Sequence, residues 1–273
     1  MPVAAGAIWQ PLTGGRTNFA WKLQPTNGHD ALVIKLYRGP AKNPLFPNDP
    51  KAEALLLQQL GPSGLTPSLI AELQTPSGLC NVYSHIPGQA WIADASVVGA
   101  LVKSLHAMTP PGTLREVPDG SEALYQKTTQ ILADCQLADP LMALAPRGHV
   151  PACGASALLH GDIVPGNLIH NDTGLHLIDW QCPAQGDPCE DIAIFLSPAM
   201  QVIYRGKPLD DQEVTAFFDA YDAPAITVRF QELAPWYHWR MAAYCQWQSE
   251  NGRSDYAVAR DLEIEALQRS LSP

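Results

Sequence analysis

Three oxygen-bearing side chains raise the first question: Asp162, Asn167 five positions on, and Asp179 twelve beyond that, within LLHGDIVPGNLIHNDTGLHLIDW (158–180). The segment from His160 to Asn167 fits H-x-D-x-x-x-x-N. In phosphoryl transfer that spacing puts an Asp beside an acceptor hydroxyl and an Asn on magnesium. The four intervening residues let the chain turn so that both side chains can face one cleft, with Gly166 expected to permit a tight backbone. Asp179, at the end of an apolar run, would offer a hard carboxylate oxygen to the same Mg²⁺.

A lone acid in such a loop is more often a cap or a surface charge; here there is company. ALVIKL sets Lys35 on an expected strand, in the V-I-K setting of a phosphate-pairing lysine, and Glu53 lies on the next expected helix, where it could hold that lysine. Upstream, L-T-G-G-R-T-N carries Gly14, Gly15 and Asn18 in a loop between two strands, able to bring backbone N–H groups to phosphates. Two glycines alone would mean only a hairpin turn. The order of loop, lysine, glutamate, H-x-D-x-x-x-x-N and aspartate is the stronger signal.

These residues need elements to position them. The first ninety residues read as strands: IWQPLTGG, TNFAWKLQ and ALVIKLYRG, with TNGHD as a hairpin tip, then two more around a Pro-Ser-Gly turn. One helix interrupts them, PKAEALLLQQL, with Asp49 as its cap and Pro50 in its first turn. From Asp94 onward helical periodicity dominates: ASVVGALVKSLHAM, SEALYQKTTQILADC, DQEVTAFFDAY, and a long run from Glu232. GLHLIDW reads as a strand ending on Asp179. The expected domains are residues 1–88, a nucleotide-binding part, and 89–273, a catalytic and substrate-binding part.

A chain of 273 residues can bury a substantial core, and 46% hydrophobic content is ordinary for a globular protein. A net charge of −10 argues against nucleic acid, because phosphate backbones demand clustered Lys and Arg. It would suit a small cation. No stretch has the length of a membrane span, the N-terminus does not read as a secretion signal, and the six cysteines form no C-x-x-C pair, so a reduced, cytoplasmic protein is expected. Oligomeric state is not legible.

Taken together, H-G-D-x-x-P-G-N-L-I, L-I-D-W and G-D-P-x-x-D-I-A (186–193) resemble the aminoglycoside phosphotransferase and choline kinase superfamily. The resemblance implies an α+β, bilobal, protein-kinase-like fold, with a small antiparallel-sheet lobe bearing one helix and a larger helical lobe. It also implies transfer of the γ-phosphoryl group of ATP to a hydroxyl. It makes Asp162 the catalytic base with His160 beside it, Asn167 and Asp179 the magnesium ligands, and Lys35 the α/β-phosphate lysine paired to Glu53. Adenine would lie on the linker backbone at Ser84, His85 and Ile86. Asp187 and Asp191 would cap the following helix and brace the catalytic loop.

The acceptor is approached through PWYHWRMAAYCQWQSENGRSDYAVAR (235–260). Trp236 and Trp239, three apart on a helix, face similar ways, and with Tyr256 they could cage a quaternary ammonium, though the same spacing is common in cores. The run is similar to choline kinases, in which the two Trp and the Tyr line the choline pocket. One departure stands out: Gln181 follows I-D-W where choline kinases commonly have Glu. Thiamine kinase resembles the G-N-L-I-H and L-I-D-W runs as well, and aminoglycosides would require acids such as Glu250, Asp255 and Glu263. The leading expectation is a kinase of a small cationic alcohol, choline or ethanolamine first; outside enzymes, a regulatory nucleotide-binding pseudokinase would have the same fold.

Overall fold

The computed structural model describes residues 7–12, 17–26, 28–39, 42–112 and 114–271. In chain order the elements are β1 (Ile8–Pro11), β2 (Phe19–Gln24), β3 (Leu32–Leu36), α1 (Pro50–Leu60), β4 (Leu69–Thr75), β5 (Gly78–Ser84), β6 (Gln89–Ala90) and α2 (Ala95–His106). They continue with β7 (Arg115–Glu116), α3 (Gly120–Ala133), α4 (Asp139–Met142), β8 (Ala157–Leu159), β9 (Leu168–Asn171), β10 (Gly174–Leu177) and β11 (Ala184–Gly186). Last come α5 (Cys189–Leu196), α6 (Pro198–Arg205), α7 (Asp211–Tyr221), α8 (Pro224–Glu250) and α9 (Asp255–Ser270).

The chain forms two compact units, one of Met1–Trp91 with Gly166–Pro183, the other of Ile92–Pro165 with Ala184–Pro273. The expected boundary lay at 88/89; the chain leaves the first unit at Trp91, returns at Gly166 and departs again after Pro183. The return has a local cause. β6 pairs antiparallel with β9, and Trp91 N donates to Leu168 O at 2.8 Å, which stitches the β9–β10 hairpin to the end of the N-terminal segment. Gly88 (φ 152) makes the approach possible, because a Cβ there would stand 2.5 Å from His170 O.

The first unit is built on an antiparallel five-stranded sheet in the order β1-β2-β3-β5-β4. Its helix α1 begins as the sequence predicts: Asp49 accepts the N–H groups of Lys51 and Ala52 at 3.0 Å, and Pro50 occupies the first turn, where its missing N–H costs nothing. Leu56 and Leu57 are buried, each contributing ~1.5–3 kcal/mol by leaving water.

The second unit is mainly helical. α8 packs on α9 and α3 around a cluster that includes Ile131, Leu132, Leu141, Trp239, Ala243 and Leu267, and α2 packs on α7. A small sheet, β7-β11-β8, carries the approach to His160. Among the described residues no helix is long and apolar enough to cross a membrane.

Candidate active site

In the first unit the charged residues converge. Lys35 Nζ lies 2.7 Å from Glu53 Oε2 on α1 and 2.5 Å from Asp179 Oδ1 beyond β10. Burial alone would lower the Lys35 ammonium, but the Asp179 and Glu53 carboxylates outweigh it and hold its pKa above the ordinary value. The lysine therefore stays charged. Glu53 also accepts a hydrogen bond from the Tyr37 hydroxyl, and Asn81 Nδ2 donates to that hydroxyl at 3.0 Å.

Asn167 and Asp179 are brought to one end of a hairpin. Leu168 pairs with Leu177, and Ile178 N donates to Asn167 O at 2.9 Å, so the two candidate ligands flank the open end of β9–β10. Asn167 is buried, whereas the Asp179 side chain keeps 29% of its exposure. Asp179 has φ 63, a left-handed conformation uncommon outside glycine and Asn or Asp, which turns the chain out of β10 at the lysine.

In the second unit the H-G-D loop is braced from α5. His160 N and Gly161 N donate to the two oxygens of the buried Asp191 at 2.8 and 2.7 Å. His106 Nε2 of α2 lies 3.3 Å from Asp191 Oδ2, the oxygen that accepts His160 N, while its Nδ1 lies 2.9 Å from the Tyr221 hydroxyl. Gly161 (φ 75), immediately before Asp162, has the left-handed backbone here; Gly166, where a tight backbone was expected, lies in a 3₁₀ turn over Pro165–Asn167 without a positive φ. Asp187 accepts Cys189 N at the start of α5 and pairs with Arg229 Nε at 2.7 Å, as a helix-start brace should. His160 is fully buried, and Asp162 is partly exposed.

Gly14 and Gly15 lie outside the described residues. Asn18 donates to Asn48 Oδ1 and to Gln181 Oε1, both at 2.8 Å, so the Gln181 amide oxygen is engaged within the first unit. Ser84 N and His85 N donate to Ser68 O and Ala31 O, which ties those two amides into the sheet; Ile86 is half-buried. Burial and the nearby Lys22 lower the His85 imidazole.

Of the two outcomes its spacing allowed, cage or core, the aromatic run takes the second at Trp239. Trp239 is fully buried in the helical core, its Nε1 donating to Leu141 O at 2.7 Å and its ring 5.3 Å from that of Tyr125. Tyr256 packs edge-on against Tyr244 at 5.9 Å, and Trp236 is buried too. With no accessible ring face, Trp239 is a core residue rather than a wall for a ligand. Tyr37 and Asn81 are the residues sequence reasoning passed over. Tyr37 could have been found, since two residues beyond Lys35 a side chain returns to the same side of an extended chain.

An antiparallel sheet bearing a buried Lys–Glu pair, joined to a helical unit whose H-G-D loop is pinned by the GDPxxD motif, is the architecture of a kinase-like phosphotransferase. A model of the phosphotransferase enzyme family matches residues 8–236, and the chain belongs to that family.

Solved structures agree on the fold. A choline/ethanolamine kinase family protein from Mesorhizobium loti is similar at TM-score 0.68 and 16% identity, covering 100% of this chain and 92% of its own. Plasmodium vivax ethanolamine kinase is similar at TM-score 0.65 and 15% identity, over 96% of this chain and 82% of its own. A spectinomycin phosphotransferase crystallised with ADP and spectinomycin is similar at TM-score 0.58 and 14% identity, over 97% and 89%. No curated protein sequence matches.

Proposed function

We propose that this enzyme transfers the γ-phosphoryl group of ATP to a hydroxyl of a small, cationic alcohol, with choline and ethanolamine the first acceptors to test. The observation that carries the reading is the Lys35–Glu53–Asp179 cluster: a buried ammonium held between two carboxylates, one of them part-exposed at a hairpin end. Lys35 would exchange part of its contact with Asp179 for the α/β-phosphates, while Glu53 keeps it in place.

The residues present fit a magnesium ion. Asn167 and Asp179 supply an amide and a carboxylate oxygen, hard donors of the kind Mg²⁺ takes alongside substrate phosphates, and they flank one hairpin end. When bound, Mg²⁺ would supply charge neutralisation at the phosphate oxygens. The protein's own work is positioning, because phosphoryl transfer leaves little covalent chemistry to side chains. Asp162 orients the acceptor hydroxyl and takes its proton late in the transfer. Asp191, through the His160 and Gly161 amides, sets the backbone from which Asp162 projects.

The cationic character rests on the net charge of −10 and on the likeness to choline and ethanolamine kinases, not on an aromatic cage. An ADP-release assay across choline, ethanolamine, thiamine, homoserine, methylthioribose and kanamycin, with the Asp162→Asn variant as blank, tests it. Turnover on choline or ethanolamine at micromolar to millimolar KM supports the reading. Turnover confined to the uncharged methylthioribose overturns the cationic part. Silence on every alcohol, with ATP bound, overturns the whole.

A further inference from the structure

Beside Lys35 lies a buried polar network that the transfer reaction does not by itself require. Tyr37 is 3% exposed and Asn81 0%. The Tyr37 hydroxyl donates to the same Glu53 oxygen, Oε2, that holds the lysine ammonium. Asn81, the register partner of Lys35 on β5, donates from one nitrogen to the Tyr37 hydroxyl at 3.0 Å and to Pro50 O, the first residue of α1, at 2.9 Å. The sheet thus grips α1 at two places, at its first carbonyl and at Glu53.

The arrangement matters because Glu53 has two donors of different fate. Lys35 must redirect part of its hydrogen bonding when phosphates arrive; a buried carboxylate whose only donor was that lysine would then be short of a partner, at a cost burial makes large. The phenol does not have to move. It has no charge to give to a phosphate, and Asn81 fixes its orientation by donating into its oxygen. With Tyr37 present, Glu53 Oε2 keeps a donor, and the carboxylate one rotamer, whether or not Lys35 is occupied elsewhere.

We propose that Tyr37 and Asn81 are positioning residues for the nucleotide site, holding Glu53, and through it the Lys35 ammonium, in the binding-competent place before nucleotide arrives. This rests on the reading of Lys35 as the phosphate-pairing lysine. Preorganisation of this kind raises affinity by removing an ordering cost from the binding step. It predicts that α1 needs no separate activation event to bring Glu53 to the lysine.

The test is MgATP affinity by calorimetry on the full chain, for the wild type, Tyr37→Phe, Asn81→Leu, the double variant and Lys35→Met. Tyr37→Phe keeps the ring and removes only the hydroxyl. It should weaken MgATP by about 5- to 30-fold, the factor expected when a buried charged acceptor loses one donor. Asn81→Leu should weaken it by a similar factor, and the double variant by less than the product of the two, because both act through one carboxylate oxygen. A merely structural pair would lower the melting temperature and leave the MgATP dissociation constant unchanged. That outcome, with Lys35→Met losing affinity, overturns the proposal and leaves the lysine reading standing. Normal affinity in Lys35→Met overturns both. Should Asn81→Leu fail to fold, Tyr37→Phe decides alone.

Discussion

The Lys35 cluster and the aromatic run of α8 began as the same kind of signal, side chains of one chemical type at suggestive spacing, and the fold treated them in opposite ways. Buried charges cannot be left alone: an unpaired ammonium or carboxylate inside a protein costs several kcal/mol, so Lys35, Glu53 and Asp179 converge on one another from three separate segments. Trp239 and Tyr256 carry no such obligation. A ring gains from burial in any apolar surroundings, and these two gained it in the core. Spacing of charged groups therefore says more about which side chains will meet than spacing of aromatic ones.

The largest effect is expected at Asp162. Asp162→Asn is expected to cut kcat by about 10²–10⁴ while MgATP affinity stays within about two-fold, read by ADP release and calorimetry. Retained turnover would remove the H-G-D loop from the chemistry. On the aromatic side, Trp239→Ala should cost ~3–5 kcal/mol of unfolding free energy in urea, with Trp239→Phe costing much less and leaving the KM for any amine acceptor unchanged. A stable Trp239→Ala protein with a raised KM for a quaternary amine would restore the cage and end the contrast.

Asp191 tests whether an acid outside the reacting set serves it. Asp191→Ala leaves the His160 and Gly161 amides and His106 without their acceptor, and it should lower stability by ~2–4 kcal/mol and kcat by more than the loss of folded protein explains. The smallest effect belongs to Asp119. Burial opposes its ionisation, but the Cys153 and Gly154 amides and the Arg229 guanidinium outweigh this and hold its carboxyl below the ordinary value. A depressed folded value gives stability that is present above the unfolded pKa, near ~3.9, and is lost as pH falls through the folded one. Acid titration of wild type against Asp119→Asn, followed by circular dichroism, should show a shallower loss in the variant below about pH 4.

Much of the frame was legible residue by residue. Asp49 and Pro50 announce α1, DQEVTAFFDAY is α7 from Asp211 to Tyr221, and alternation with turn residues marks the strands of the five-stranded sheet. The return of residues 166–183 to the first unit was not, because β6 has two residues and its partner lies some eighty positions away. Pairing at that range leaves no local periodicity to read.

The family was already written in the sequence, in motifs such as H-G-D-x-x-P-G-N and V-I-K, which also name the charged groups from which a site is proposed. Only the tertiary structure decided that Tyr37 and Asn81 stand behind the Lys35–Glu53 pair and that Trp239 belongs to the core. Hydrogen bonds between distant strands and the packing of one helix against several others depend on register and on which face turns inward, and neither quantity is carried by any short stretch of residues.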